Sequence, residues 1–212
     1  MIVVIDGPAG TGKTTVAQRV AKRLGYAYFD TGALYRCLTY EILSRGVDMR
    51  DGEALEVLLG GFDFRVEDGC YFVNGEEVTS QIRSPEVTAY VSTVAALALV
   101  REKMASIQRS FCRSRDAVFE GRDLGTVVFP QADLKIFLTA RPAVRARRRY
   151  LEIKGRSSVT EAQVLEQLME RDHRDSTREV APLKQAEDAY LIDTSDLEID
   201  HVVDKIVDLY KK

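Results

Sequence analysis

The chain is poor in the residues that would mark it as secreted, metal-structured or membrane-embedded. Its cysteines, Cys37, Cys70 and Cys112, are odd in number, far apart and form no C-x-x-C pair. That excludes a disulfide framework or thiolate metal site and leaves reduced packing thiols. The longest apolar run, Val94 to Val100, is far too short for a bilayer. No basic segment precedes the short apolar run at the N-terminus, so no signal peptide is expected and the cytoplasm is. His173 and His201 have no activated serine or cysteine to serve and are expected to face solvent. Fixed-period repeats, low-complexity linkers and the N-K-x-D segment that reads guanine in GTPases are all missing. A net charge of −3 gives no general reason to bind nucleic acid or an anionic membrane, so local basic clusters need local explanations. No coiled-coil or interface stripe is visible, which leaves a monomer as the default. At 212 residues the chain can hold one substantial core with one or two insertions.

The informative stretch is the first. Ile2 to Ile5 run into Gly7-Pro8-Ala9-Gly10-Thr11-Gly12-Lys13-Thr14, which fits G-x-x-x-x-G-K-[ST] and is followed by Thr15. Gly7, Gly10 and Gly12 permit backbone angles closed to other residues, so successive N–H groups can face a phosphate. Lys13 adds a charge that reaches the β- and γ-phosphates, and the Thr14 hydroxyl can ligate Mg²⁺. Val16, Val20 and Leu24 repeat at helical spacing and Gly25 ends the run, so strand, glycine loop and helix stand in the required order. The expectation is a nucleoside triphosphate site, with Mg²⁺.

Further along, Tyr26–Phe29 reads as a strand, and Leu34, Leu38 and Ile42 as one helix face. Phe62, Phe64 and Val66 then alternate, and Tyr71–Val73 and Glu76–Thr79 flank Asn74-Gly75, a strong hairpin signal. Ser84-Pro85 starts a helical stretch running to Phe111, with a break near Ala98. Ala117–Glu120, Leu134–Thr139 and Ala189–Ile192 suit buried parallel strands. Pro142 opens an arginine-rich helix, Thr160 and Gln163 form a capping box stapled by Val159 and Val164, and Ile199 to Tyr210 is amphipathic. The fold class is therefore α/β: a five-stranded, mostly parallel sheet with helices on both faces, interrupted by an insertion carrying a small antiparallel sheet.

Two loops at carboxyl ends of these strands carry chemistry. Asp30-Thr31-Gly32-Ala33-Leu34-Tyr35-Arg36 offers Arg36 as a phosphate clamp and Tyr35 beside a flat base, against the alternative of a helix-capping turn with a surface arginine. Gly121-Arg122-Asp123 offers a second clamp, against a turn holding a local ion pair. Arginines are densest at Arg141, Arg145, Arg147, Arg148 and Arg149, with Arg156, Arg171, Arg174 and Arg178 later. A solvated face or nucleic-acid patch is one reading. A lid of guanidinium groups over transferring phosphates is favoured, because Arg171-Asp172-His173-Arg174-Asp175 interleaves acid with base. Asp193, late in the chain, reads as a turn residue.

Together, Gly7–Thr15, Asp30–Arg36, Glu120-Gly121-Arg122-Asp123-Leu124-Gly125-Thr126-Val127-Val128-Phe129-Pro130, and Arg171–Arg178 followed by Ala181-Pro182 resemble the bacterial cytidylate kinases, in order from first strand to last helix. The Asn74-Gly75 insertion is similar to their enlarged monophosphate-binding domain. The resemblance implies a single P-loop nucleoside monophosphate kinase domain over 1–212, with residues 31–90 as the monophosphate-binding insertion and 148–172 as a short lid. It implies transfer of the ATP γ-phosphoryl group to CMP or dCMP in pyrimidine nucleotide metabolism. Gly7, Pro8, Ala9, Gly10, Thr11, Gly12, Lys13, Thr14 and Thr15 would hold ATP. Arg36, Arg122 and Arg178 would hold the CMP phosphate, with Thr31 and Tyr35 lining its pocket. Ser92, Arg101 and Asp123 would read cytosine, while Arg171 and Asp175 would meet the sugar or adjacent phosphates. Lys13, Arg122, Arg171 and Arg178 would act in transfer, and Glu120, where some relatives carry aspartate, would meet Mg²⁺ through water. A P-loop kinase acting on a hydroxyl, or a nucleic-acid-binding ATPase, are the rival readings.

Overall fold

The computed structural model describes residues 1–113, 115–155 and 159–211. In chain order the elements are β1 (Ile2–Asp6), α1 (Lys13–Leu24), β2 (Ala27–Asp30), α2 (Thr31–Ser44) and α3 (Gly52–Gly60). Then come β3 (Phe64–Glu67), β4 (Cys70–Val73), β5 (Glu76–Glu77), α4 (Pro85–Val94) and α5 (Ala98–Phe111). β6 (Ala117–Gly121), β7 (Leu134–Thr139), α6 (Pro142–Ile153), α7 (Glu161–Thr177), β8 (Tyr190–Asp193) and α8 (Ile199–Tyr210) complete the chain. They form two compact units, Met1–Asp30 with Phe111–Lys212, and Thr31–Ser110. No helix among the described residues is long and apolar enough to cross a membrane.

The first unit carries a five-stranded sheet in the order β2-β6-β1-β7-β8, every pairing parallel. The short apolar runs of β1, β6 and β7 are buried on both faces, as parallel strands covered by helices must be. α1 turns Val16, Ala17, Val20 and Ala21 onto Val3, Ile5 and Val118, and α8 adds Val202, Val203, Ile206 and Val207 to the same core. Each such valine or isoleucine side chain removed from water contributes about 1.5–3 kcal/mol, so a charge at Val20 would break this face. Gly25, at φ 71°, returns its N–H to the last α1 carbonyls and stops the helix. In register, Asp30 lies beside Glu120 and Asp6 beside Gly121. The carboxyl ends of β2, β6 and β1 thus meet on one edge, the usual ligand edge of such sheets.

In the second unit α2 buries Leu34, Leu38 and Ile42. Asn74 (φ 51°) and Gly75 (φ 88°) make the expected tight turn, with Val73 opposite Glu76. A second turn of the same chemistry, Asp68 (φ 49°) and Gly69 (φ 82°), joins β3 to β4. The strand expected over Glu76–Thr79 pairs in the sheet only at Glu76–Glu77, because the Thr79 hydroxyl takes the Tyr71 amide at 2.9 Å in place of a backbone carbonyl. Ser84 caps α4 through the Val87 amide with Pro85 in its first turn, and the helical stretch breaks before Ala98.

Candidate active site

The loop after β1 is shaped by contacts that tolerate only glycine. At Gly7, φ 147°, a Cβ would lie 2.1 Å from the Leu138 carbonyl oxygen. At Gly10 it would press on Arg145 Cβ at 3.1 Å and its carbonyl oxygen at 3.2 Å. Lys13, 5% exposed, donates to the Pro8 carbonyl at 2.6 Å, and Thr11 Oγ1 donates to it at 3.2 Å. Burial holds the Lys13 ammonium well below the ordinary lysine range, Arg122 and Arg171 press the same way, and Glu120 opposes them. Those cations therefore share one electrostatic neighbourhood with the loop lysine.

Thr14, in the first turn of α1, donates to Glu120 Oε2 at 3.0 Å, while the Tyr28 hydroxyl donates to Oε1 at 2.5 Å. Burial, with Asp30 nearby, raises the Glu120 carboxyl above its ordinary value, while Lys13 draws it down. A hydroxyl and a carboxylate are hard oxygen donors and fit Mg²⁺. Among the described residues there is no cluster of three or more His, Cys, Asp or Glu that could hold a metal. Such an ion would therefore complete its shell from phosphate and water.

The loop after β6 brings Arg122 and Asp123 to the same sheet edge. Arg122 Nε donates to Asp175 Oδ2 at 3.2 Å, and Arg171 Nε lies 3.9 Å from the same oxygen. Arg178 donates to Asp123 Oδ1 at 3.2 Å and to the Ala181 carbonyl at 2.7 Å. Arg122, Asp123, Arg171, Asp175 and Arg178 thus form two linked ion-pair sets inside the first unit. Beyond Asp123 the chain coils into a wide turn, Leu124–Val128, closed by i to i+5 bonds such as Phe129 N–H to the Leu124 carbonyl at 2.7 Å. Turns of this kind are rare and concentrate at functional sites.

The arginines of α6 are distributed differently from the single phosphate cluster read in the sequence. Arg145 donates to the carbonyls of Ala140 and Ala9 at 3.0 Å each and pairs with Asp172, whose other oxygen accepts the Ala9 amide at 3.3 Å. Arg148 donates to the Thr194 carbonyl at 2.7 Å, and the Thr194 hydroxyl donates to the Thr11 carbonyl at 3.1 Å. Two arginines one turn apart therefore brace the glycine loop. Arg141, Arg147, Arg149 and Arg174 pair at the surface with Asp196, Glu161, Glu152 and Glu170. Arg156 lies outside the described residues. His173 and His201 are exposed, and Asp193 caps its own turn by accepting the Ser195 amide at 2.8 Å.

In the second unit, Thr31 begins α2 and is buried. Arg36 donates to Thr88 Oγ1 at 2.9 Å and to the Ile82 carbonyl at 3.4 Å. Arg101 is buried, with its guanidinium over the Tyr35 ring at 5.3 Å. Ser92 is half-buried on α4.

Three residues of the first-unit site are given no role in the sequence reading: Asp6, Tyr28 and Asp172. Asp6 accepts the Leu124 and Gly125 amides, Tyr28 holds Glu120, and Asp172 holds Ala9. Asp6 is the only one with a local signal, a charged residue ending an otherwise apolar strand.

A parallel sheet, a glycine loop with its lysine and an arginine set on one edge define a P-loop phosphotransferase of the small-molecule kinase class. The shikimate kinase of Bacteroides thetaiotaomicron superposes with a TM-score of 0.54 at 14% identity, covering all of this chain and 99% of that one, a likeness of fold. The cytidylate kinase family model matches residues 3–212. The cytidylate kinase of Protochlamydia amoebophila is 50% identical over 217 residues, covering 98% of this chain and 95% of that protein. That of Shouchella clausii is 48% identical over 216 residues, covering 99% and 96%. The chain belongs to the cytidylate kinase family.

Proposed function

We propose that this chain transfers the γ-phosphoryl group of ATP to the 5′-phosphate of CMP or dCMP, releasing ADP and CDP or dCDP. The observation that carries the reading is the guanidinium set on the sheet edge that also bears the glycine loop: Arg122 and Arg171 on Asp175, and Arg178 on Asp123. An acceptor phosphate oxygen forms the new bond to Pγ while the bond from Pγ to the β,γ-bridging oxygen breaks and ADP leaves. The acceptor's second pKa is about 6, so it is largely ionised at neutral pH and needs no strong base. A hydroxyl acceptor would need one, and would have less use for several guanidinium groups.

Lys13 exchanges the Pro8 carbonyl for phosphate oxygens, and the amides of Gly7–Thr15 cradle the donor. Arg122 and Arg178 take the acceptor phosphate, Arg171 and Asp175 the sugar or neighbouring phosphate, and Asp123 the cytosine amino group. Arg36, Arg101, Ser92, Thr31 and Tyr35 are assigned to the same nucleotide, Arg101 as donor to cytosine N3 and O2. Mg²⁺, held by Thr14 and through water by Glu120, would neutralise charge on the β- and γ-phosphates. Residues 31–90 serve as the monophosphate-binding insertion and 148–172 as the lid. The chain works as a monomer and on small molecules, the latter supported by Arg145, Arg147, Arg148 and Arg149 of α6 being engaged with acids and carbonyls of their own unit rather than offered to a polynucleotide.

Following ATP and CMP by ³¹P NMR tests the reading. CDP and ADP should appear in equal amounts, and ADP formed without CDP would overturn it.

A further inference from the structure

Asp6 is the last residue of β1, 4% exposed, immediately before the glycine loop. Its Oδ1 accepts the Leu124 amide at 3.0 Å and its Oδ2 accepts the Gly125 amide at 2.8 Å. Those amides open the wide turn that follows Arg122 and Asp123. Both carboxylate oxygens are thus spent on consecutive N–H groups of another strand's loop. Gly125 is confined from the other side too. A Cβ there would lie 3.2 Å from Lys135 Cδ and 3.5 Å from Asp6 Oδ2. Lys135 cannot readily withdraw, since its ammonium is held by the Pro130 carbonyl at 2.6 Å and by Asp188 at 2.7 Å.

We propose that Asp6 is a positioning residue, whose carboxylate fixes the turn carrying Arg122 and Asp123 against the strand that leads into the phosphate cradle. One side chain then sets the distance between donor loop and acceptor-side arginine, although it touches neither nucleotide. The inference rests on the acceptor roles given above to Arg122 and Asp123. A carboxylate suits the task because two N–H donors converge on it. An asparagine would present an NH₂ group to one of them. Misplacement of a reacting group by about 1 Å can cost on the order of 100-fold in rate.

The test is Asp6→Asn in the full chain, measured by kcat/KM for CMP, affinity for a non-hydrolysable ATP analogue, thermal midpoint, and amide hydrogen exchange at Leu124 and Gly125. The expected result is a loss of about 10- to 100-fold in kcat/KM for CMP, analogue affinity within about threefold, and faster exchange at both amides. A kcat/KM within about twofold of the unaltered chain would overturn the proposal. So would equal losses in CMP use and analogue binding, which describe a merely structural residue. Should Asp6→Asn fail to fold, Gly125→Ala displaces the same turn without touching the cradle and is judged by the same outcomes. An unaltered chain that leaves CMP unphosphorylated would instead overturn the kinase reading, and the exchange rates would still decide whether Asp6 holds the turn.

Discussion

Arg178 and Asp123 hold each other: the guanidinium donates to Oδ1 at 3.2 Å, and each side chain is only 6% exposed. The residue assigned to the acceptor phosphate thus neutralises the residue assigned to cytosine. On those assignments, nucleotide binding exchanges this contact for two others, an amino group for Asp123 and a phosphate for Arg178. Asp123→Ala removes one partner of a buried charged pair, which typically costs 2–5 kcal/mol or more, roughly 30- to several-thousand-fold. We expect a loss of that order in kcat/KM for CMP, with ATP-analogue affinity by calorimetry nearly unchanged. Equal losses in both would remove Asp123 from the acceptor site.

Gly7→Ala meets a backbone oxygen rather than a side chain, at 2.1 Å and at φ 147°. Strain of this kind costs on the order of 1–3 kcal/mol, before the collision is relieved by moving β7. The thermal midpoint should fall by several degrees, at about 2–4 °C per kcal/mol for this size, and analogue binding should be lost. A variant that melts and binds like the unaltered chain would contradict the cradle geometry.

Arg145 and Asp172 grip Ala9 by its carbonyl and its amide and pair with each other. Breaking a buried pair by removing one partner costs about 3–5 kcal/mol. Arg145→Ala should therefore lower the urea midpoint and weaken ATP binding together. An arginine that only touched phosphate would lose activity while the midpoint stayed in place.

Burial pushes the Asp6 carboxyl up from its ordinary 3.8 to about 6, with the Gly125 and Leu124 amides and Lys13 opposing and Asp123 adding to the rise. Lys135 flanks the turn through its stem, its charge committed to Asp188. The folded chain thus binds this proton more tightly than the unfolded chain. This group's contribution to stability grows as pH falls from about 6 towards 4. Its protonation nonetheless places an O–H where an amide needs an acceptor, so CMP phosphorylation should decline below pH 6. The acceptor phosphate titrates near the same value, about 6. The comparison is therefore of pH profiles: log kcat/KM should fall with a steeper acid limb in the unaltered chain than in Asp6→Asn. Identical limbs would contradict the assignment.

The parallel sheet is legible because β1, β6 and β7 are short apolar runs, and β1, α1 and their loop announce themselves through a spacing that chemistry demands. Asn74-Gly75 is equally plain, whereas Asp68-Gly69, which also takes positive φ at both positions and joins the four-residue strands β3 and β4, goes unread in the sequence. The arginines of α6 show what one dimension hides. Their spacing resembles a phosphate cluster, yet Arg145 and Arg148 serve carbonyls of the cradle, because the partners Ala9 and Thr194 lie 136 and 46 residues away. Asp6, Tyr28 and Asp172 were missed for the same reason. Each acts through a hydrogen bond to a distant segment, and periodicity carries no record of such contacts.

The central claim is an acceptor that is both phosphorylated and a cytosine nucleotide, and a panel of nucleoside monophosphates with ATP tests it most directly. Coupled ADP release should give kcat/KM for CMP and dCMP well above that for UMP, because uracil turns an acceptor towards Asp123 and leaves a buried charge unmatched, a mismatch that can reach about 10⁴-fold. Equal use of CMP and UMP, or turnover with an unphosphorylated hydroxyl acceptor in their place, would contradict the account.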